Sequence, residues 1–139
     1  MIYCAFVGPF KDKRLLAMAE DFHKRSQRLW PVTWVELPEK PKDIAKWMGE
    51  REGKGQLVSL DAHGESLDSR TFTQWVTQSP RDLYFLAWGA DGPPVGVLRK
   101  GVKSLSLSPM TYSHELARVL LMEQLYRAGA TLKGHPYPR

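Results

Sequence analysis

Apolar and polar positions along this chain fall into blocks whose period switches between about two and about 3.6 residues, the signatures of strand and helix. IYCAFVG (2–8) predicts a buried strand, KDKRLLAMAEDFHKRSQRLW (11–30) an amphipathic helix, and VTWVELP (32–38) an alternating strand. KPKDIAKWMGERE (40–52) predicts a shorter helix, QLVSLDA (56–62) a strand, and SLDSRTFTQWVTQ (66–78) a helix capped by Ser66 or Asp68. DLYFLAWG (82–89) is almost continuously apolar, as in a strand covered on both faces. Residues 93–101 read as a turn or brief helix, and SLSLS (104–108) as a fifth strand. A last helix begins after Ser113 as N-cap, with Glu115 in its first turn, Glu123 and Arg127 as an i,i+4 pair, and Gly129 as its stop. Strand and helix in alternation predict an α/β fold, a mostly parallel sheet flanked by helices, in one domain over residues 1–139.

The apolar residues of the last helix, Leu116, Val119, Leu120, Leu121, Met122, Leu125 and Tyr126, cover more than one stripe. That width predicts burial on two sides, one of them toward a partner subunit. In parallel α/β sheets ligands gather beyond the carboxyl ends of the strands. Three loops occupy that position: Leu60 to Gly64, Trp88 to Gly92, and Ser108 to Tyr112. The last mixes hydroxyls with Pro109 and Met110, so its main chain can lie close against a ligand.

Composition narrows the setting. A chain of 139 residues, 42% apolar and 25% charged, can bury about two-thirds of its unfolded surface without staples. The single cysteine, Cys4, excludes an intramolecular disulfide, and no apolar stretch approaches the roughly 18 residues of a membrane span. A soluble, cytoplasmic protein is expected. Residues 1–92 carry 13 basic and 13 acidic side chains and residues 93–139 carry 7 and 2, so the whole excess of +5 lies in the last third. It is either a solvated basic face or the footprint of an anionic partner, with RNA the leading candidate.

Several chemistries find no support. Gly89-Ala90-Asp91-Gly92 is neither a dinucleotide fingerprint nor a phosphate loop, and no serine sits in a nucleophile elbow. His23, His63, His114 and His135 have no zinc spacing, so no metal is expected. His23, among Lys24, Arg25 and Arg28, reads as solvated, whereas His63 and His114 suit either a cap or a functional role. The tail His135-Pro136-Tyr137-Pro138-Arg139 combines stiffening prolines with an aromatic ring and an arginine, able to stack on a base and meet a phosphate.

With SLSLSPMTYSHELARVLLMEQLYRAGATLKGHPYPR, and more weakly with Val7-Gly8, Lys11, the Asp21-Phe22-x-x-Arg25 helix and L-x-x-L-D-x-x-G at 57–64, the chain resembles the RlmH family. These are SPOUT-class methyltransferases that act on N3 of a pseudouridine in 23S ribosomal RNA. The resemblance implies a C-terminal trefoil knot over about residues 80–139, S-adenosylmethionine as cofactor, and a homodimer whose partner helps complete the site. It implies 23S RNA in the assembled ribosome as substrate, with neither membrane nor metal. Cofactor contacts would fall on Leu60, Trp88, Gly89, Leu107, Ser108, Pro109, Met110, Thr111 and Tyr112. The catalytic group would be drawn from His135, Tyr137, Arg139, Arg127 and His114: the two histidines as candidate bases, the others holding RNA and the deprotonated imide. Two positions depart from the family pattern. Trp88 replaces the first of two paired glycines, where an indole either obstructs the cofactor or points outward, and Pro138 replaces a histidine. A non-catalytic RNA-binding relative, and a methyltransferase of this class for another base or RNA, stay open. A small-molecule α/β enzyme is disfavoured by the basic last third.

Overall fold

A computed structural model describes residues 1–137. Five strands, β1 (Ile2–Val7), β2 (Val32–Leu37), β3 (Gly55–Ser66), β4 (Asp82–Ala87) and β5 (Lys103–Ser106), form one sheet in the order β2-β1-β4-β3-β5. Every pairing is parallel. Four helices, α1 (Lys13–Ser26), α2 (Pro41–Gly49), α3 (Ser69–Gln78) and α4 (His114–Leu132), cover its two faces.

The pleat divides the core in two. Alternate residues Leu83, Phe85 and Ala87 of β4 join Cys4 and Phe6 of β1 beneath α1, α3 and α4. Tyr84, Leu86 and Trp88 point the other way, joining Ala5, Val7 and the α2 residues Ile44, Trp47 and Met48. Buried on both faces, β4 is the continuous apolar run expected of a central parallel strand. Burial also pushes the Cys4 thiol well above its ordinary pKa, so it is an inert core group.

Several boundaries differ from expectation, α2 and α3 being shorter than 40–52 and 66–78. The first helix starts at Lys13 because Asp12 caps it, accepting from the Arg14 and Leu15 amides at 2.9 and 3.3 Å, and it ends at Ser26, whose carbonyl accepts from Leu29 and Trp30 in a turn. The segment expected as a loop at 60–64 continues β3 through an irregularity, with Leu60 and Glu65 both opposite Leu105 of β5. β5 ends at Ser106 rather than 108 because the Ser106 hydroxyl turns to the Ser108 carbonyl at 2.7 Å. Gly129 does not stop α4: a Cβ there would stand 2.5 Å from the Trp30 ring, so this glycine serves close packing. The helix ends instead at Leu132, stopped by Gly134 with φ +68°, where the His135 amide donates to the Ala130 carbonyl and the Gly134 amide to that of Thr131. That crossed pair is the Schellman stop.

α4 begins as expected, with Ser113 Oγ accepting from the Leu116 amide at 3.2 Å. Of its apolar residues Val119, Leu121, Met122 and Leu125 pack within the chain, against α1, α3 and the sheet, while Leu116 and Leu120 are half-buried. No helix among the described residues is long and apolar enough to cross a membrane.

Candidate active site

At the carboxyl ends of β3, β4 and β5 the chain encloses a cavity of ≈ 260 Å³. Leu60, Trp88, Leu107, Ser108, Met110, Thr111, Tyr112 and His114 line it, so two stretches far apart in sequence meet the loop after β5 there. Gly89 and Pro109, also expected at the cofactor, do not line it. Asp61, Ala62 and Gly92 from the loops singled out by sheet geometry do, as do Pro93 and Ala117, which no motif marked. Ala117 is one turn past His114 on α4, and its small side chain keeps the helix from filling the space.

The loop after β5 is shaped by its own hydroxyls. Ser106 Oγ donates to the Ser108 carbonyl, and Ser108 Oγ accepts from the Met110 amide at 3.0 Å. These short-range turns hold the main chain at the cavity while Met110 and Tyr112 stay exposed.

Trp88 takes a third course, neither blocking the cavity nor pointing outward. Its indole turns into the core beneath α2, 5% exposed, and donates to the buried Ser59 hydroxyl at 2.8 Å. The paired-glycine position is thus filled from the far side of the sheet. Gly89 has a local reason to lack a side chain, since a Cβ there would stand 2.7 Å from Glu39 Oε2. The same carboxylate occupies the space beside Gly8, so Glu39 reaches over the ends of both β1 and β4.

Arg118, which sequence reasoning passed over as one more helical cation, is fully buried. Its guanidinium donates to the carbonyls of Val7 and Gly8 at 2.5 and 3.1 Å, and lies over the rings of Phe6 and Phe10. Desolvation holds its pKa below the ordinary value. One turn earlier, Glu115 accepts from the amides of Lys11 and Asp12, each at 3.0 Å. The Asp12 amide, with smaller help from Lys11, holds its carboxyl below the usual range. These two residues tie the start of α4, and so the floor of the cavity, to the end of β1. The signal for them was the spacing Glu115 to Arg118, one helical turn, at the end facing the sheet.

The tail residues assemble elsewhere. Tyr137 donates its hydroxyl to Glu123 Oε2 at 2.6 Å, Arg127 pairs with that oxygen at 3.2 Å, and Tyr137 packs on Tyr126 with ring centroids 4.7 Å apart. His135 Nδ1 accepts from the Tyr137 amide at 3.1 Å. Burial, then the Glu123 hydrogen bond, raises the Tyr137 pKa, keeping the phenol a donor at neutral pH. Along α4, His114 and Arg127 are separated by about 20 Å at ~1.5 Å per residue. The cavity and the tail cluster thus lie at opposite ends of one helix. Arg139 and Pro138 lie outside the described residues.

His23 corrects its sequence reading: it is half-buried, with Nε2 at 2.7 Å from the Val32 carbonyl and its ring against Trp34. Among the described residues no group of three or more His, Cys, Asp or Glu could hold a metal ion.

The family model described as predicted SPOUT methyltransferase matches residues 1–138. The chain belongs to the SPOUT methyltransferase family. Among curated relatives, the ribosomal RNA large subunit methyltransferase H of Solibacter usitatus is 38% identical over 141 aligned residues, covering 99% of each chain. The protein of the same description from Sorangium cellulosum is 33% identical over 138, covering 96% of this chain and 95% of its own. Solved structures agree on the SPOUT fold. A Bacillus anthracis protein described as an RNA methyltransferase superposes with TM-score 0.58 at 13% identity, covering 99% of this chain and 97% of its own. A Legionella pneumophila protein described as a methyltransferase, with bound S-adenosylmethionine, gives TM-score 0.55 at 13% identity, covering 89% of this chain and 64% of its own.

Proposed function

We propose that this SPOUT chain is an S-adenosylmethionine-dependent methyltransferase acting on N3 of a pseudouridine in 23S ribosomal RNA, taken in the assembled ribosome, and that it works as a homodimer. Supporting the first part are the curated relatives, named for methylation of large-subunit ribosomal RNA over nearly the same length. Supporting the second is the separation of cavity and tail cluster by most of α4. A cavity at one end of a helix and an RNA-holding cluster at the other can meet when the tail of one subunit reaches the cavity of its partner. The family's knot over residues 80–139 belongs to this reading.

The residues present fit the cofactor. Among the described residues Asp61 is the only carboxylate in the cavity wall and no lysine or arginine lines it, which suits a ligand carrying its own positive charge. Leu60 and Leu107 offer apolar walls to a flat base, while Ser108 to Tyr112 present main-chain groups to its polar edge. S-adenosylmethionine supplies an electrophilic methyl group on a sulfonium. The chain's own task is to place the imide nitrogen in line with it and remove the imide proton.

For that proton His114 is the better base. It borders the cavity, with Nε2 3.8 Å from Glu115. A neutral His135 ring that accepts at Nδ1 carries its hydrogen on Nε2, which makes it a donor to an imide oxygen. Tyr137, whose hydroxyl proton goes to Glu123, fixes the carboxylate that pairs Arg127, and Arg127, with Arg139, would offset the charge of the deprotonated imide. The inward indole of Trp88 speaks against a non-catalytic relative whose pocket that residue has closed.

Mass spectrometry of ribosomal RNA from cells lacking this protein tests the catalytic reading. Loss of the methyl group from that pseudouridine is expected, and unchanged methylation refutes it. Calorimetry with S-adenosylmethionine tests the cofactor separately, and a chain truncated after Gly134 should bind it yet transfer no methyl.

A further inference from the structure

α1 and α4 lie side by side in the same direction. Their starts meet where Glu115 accepts from the Lys11 and Asp12 amides, and their ends where the Trp30 indole donates to the Leu125 carbonyl at 3.0 Å. The tail cluster therefore borders the last turns of α1. Phe22 meets Tyr126 there with ring centroids 5.9 Å apart, and Tyr126 meets Tyr137 at 4.7 Å. These three rings form one strip that runs from α1 across α4 to the tail.

An arginine stands at each end of the strip, and the two are held alike. Arg25 pairs with Asp21 one turn earlier at 3.1 Å and lies over the Phe22 ring, its Cζ 5.9 Å from the centroid. Arg127 pairs with Glu123 one turn earlier at 3.2 Å and lies over the Tyr137 ring at 5.5 Å. A carboxylate on one side and a ring face on the other fix each guanidinium, which lowers the entropy lost when a further ligand binds. Each carboxylate engages its arginine through one oxygen, so most of the five N–H donors of each guanidinium stay available. The Arg25 side chain is 51% exposed, and the last turn of α1 adds Lys24 and no carboxylate. A helical i,i+4 pair by itself accounts for Asp21 and Arg25, but not for a second arginine built the same way at the far end of the rings.

We propose that Arg25 is a second RNA contact of this protein, holding a backbone phosphate of the strand beside the nucleotide whose imide meets Arg127. The inference rests on the tail cluster being the RNA-holding end. A planar guanidinium already fixed in position suits the bidentate geometry of a phosphate. The ring faces that the two guanidiniums cover are closed to a base, so the contact at Arg25 carries charge and no sequence preference. The Phe22 and Tyr137 centroids are no more than about 11 Å apart, the span of about three stacked nucleotides at ~3.4 Å each. One strand can therefore touch both arginines.

The test measures binding of the whole protein to ribosomes purified from cells that lack it, by co-sedimentation over a range of salt. Arg25→Gln should weaken binding about tenfold and lower the slope of log affinity against log salt by about one, as for the loss of one phosphate contact. Arg25→Lys keeps the charge and should keep the slope. The urea midpoint and the calorimetric affinity for S-adenosylmethionine should stay at their wild-type values, which separates a lost contact from a damaged fold. Wild-type affinity and slope in Arg25→Gln, or an Arg25→Lys variant with the slope of Arg25→Gln, overturns the proposal. So does a loss of ribosome binding matched by an equal loss of cofactor affinity. Arg127→Gln reads the tail cluster by itself. Where it weakens ribosome binding and Arg25→Gln does not, the role of Arg25 fails alone; where neither does, the RNA-holding role of the cluster fails with it.

Discussion

Trp88 donates its indole N–H to Ser59 across 2.8 Å, inside the core layer beneath α2 and away from the cavity its backbone borders. A residue that reads in sequence as either an obstruction or an outward ring is thus a strut.

Restoring the family glycine should therefore harm the protein. Trp88→Gly empties a buried site and is expected to lower stability by about 3–5 kcal/mol. Ser59→Ala, which strands the indole proton, should cost about 1–3 kcal/mol. Urea denaturation measures both, and S-adenosylmethionine should still bind to folded Ser59→Ala.

Arg118 ties α4 to the end of β1 through two carbonyls. Arg118→Ala leaves both unpaired beside a void, with an expected loss of about 3–5 kcal/mol in chemical denaturation. Arg118→Lys should recover only part of it, because one ammonium lacks the planar fork that reaches two carbonyls at once.

Gly129 and Trp30 pack too closely for a side chain between them. Gly129→Ala gains about 1 kcal/mol of helix propensity, yet overpacking costs about 1–3 kcal/mol, so the net expected effect is destabilising. A raised melting temperature would show that Trp30 can move aside.

Glu115 makes stability depend on acid. Its carboxyl is held below its unfolded value, so its contribution is present above the unfolded pKa near ~4.3 and is lost as pH falls through the lower folded value. Glu115→Gln should flatten this part of the acid limb of a stability-against-pH curve, while lowering stability near neutrality by about 2 kcal/mol.

Much of the fold was legible because period reports burial. The two-sided run at 82–89 marked β4 as central, and caps such as Ser113 and Asp68 announced their helices. Three loops at strand ends were found from sheet geometry alone, and parts of all three meet at the cavity. What escaped depends on facing, which local pattern does not carry. The width of α4 showed that its faces are apolar, not that α1, α3 and the sheet cover Val119, Leu121, Met122 and Leu125. Gly129 looked like a stop because glycine is used both for positive φ and for close approach. Arg118 was hidden because a buried cation and a solvated one are spelled alike until the carbonyls of Val7 and Gly8 are seen beside it.

The parallel order β2-β1-β4-β3-β5 also bears on how the chain is made. Ile2 of β1 pairs with Leu83 of β4, and the terminal amine of Met1 meets Asp82 at 3.0 Å. β1 is synthesised well before β4 and so waits, apolar on both faces and open along its inner edge, until residues 82–87 have emerged. During that interval it is the segment most exposed to wrong pairing. Chaperone dependence and inclusion-body formation in this protein should respond most sharply to changes in residues 2–7, long before they register in the finished fold.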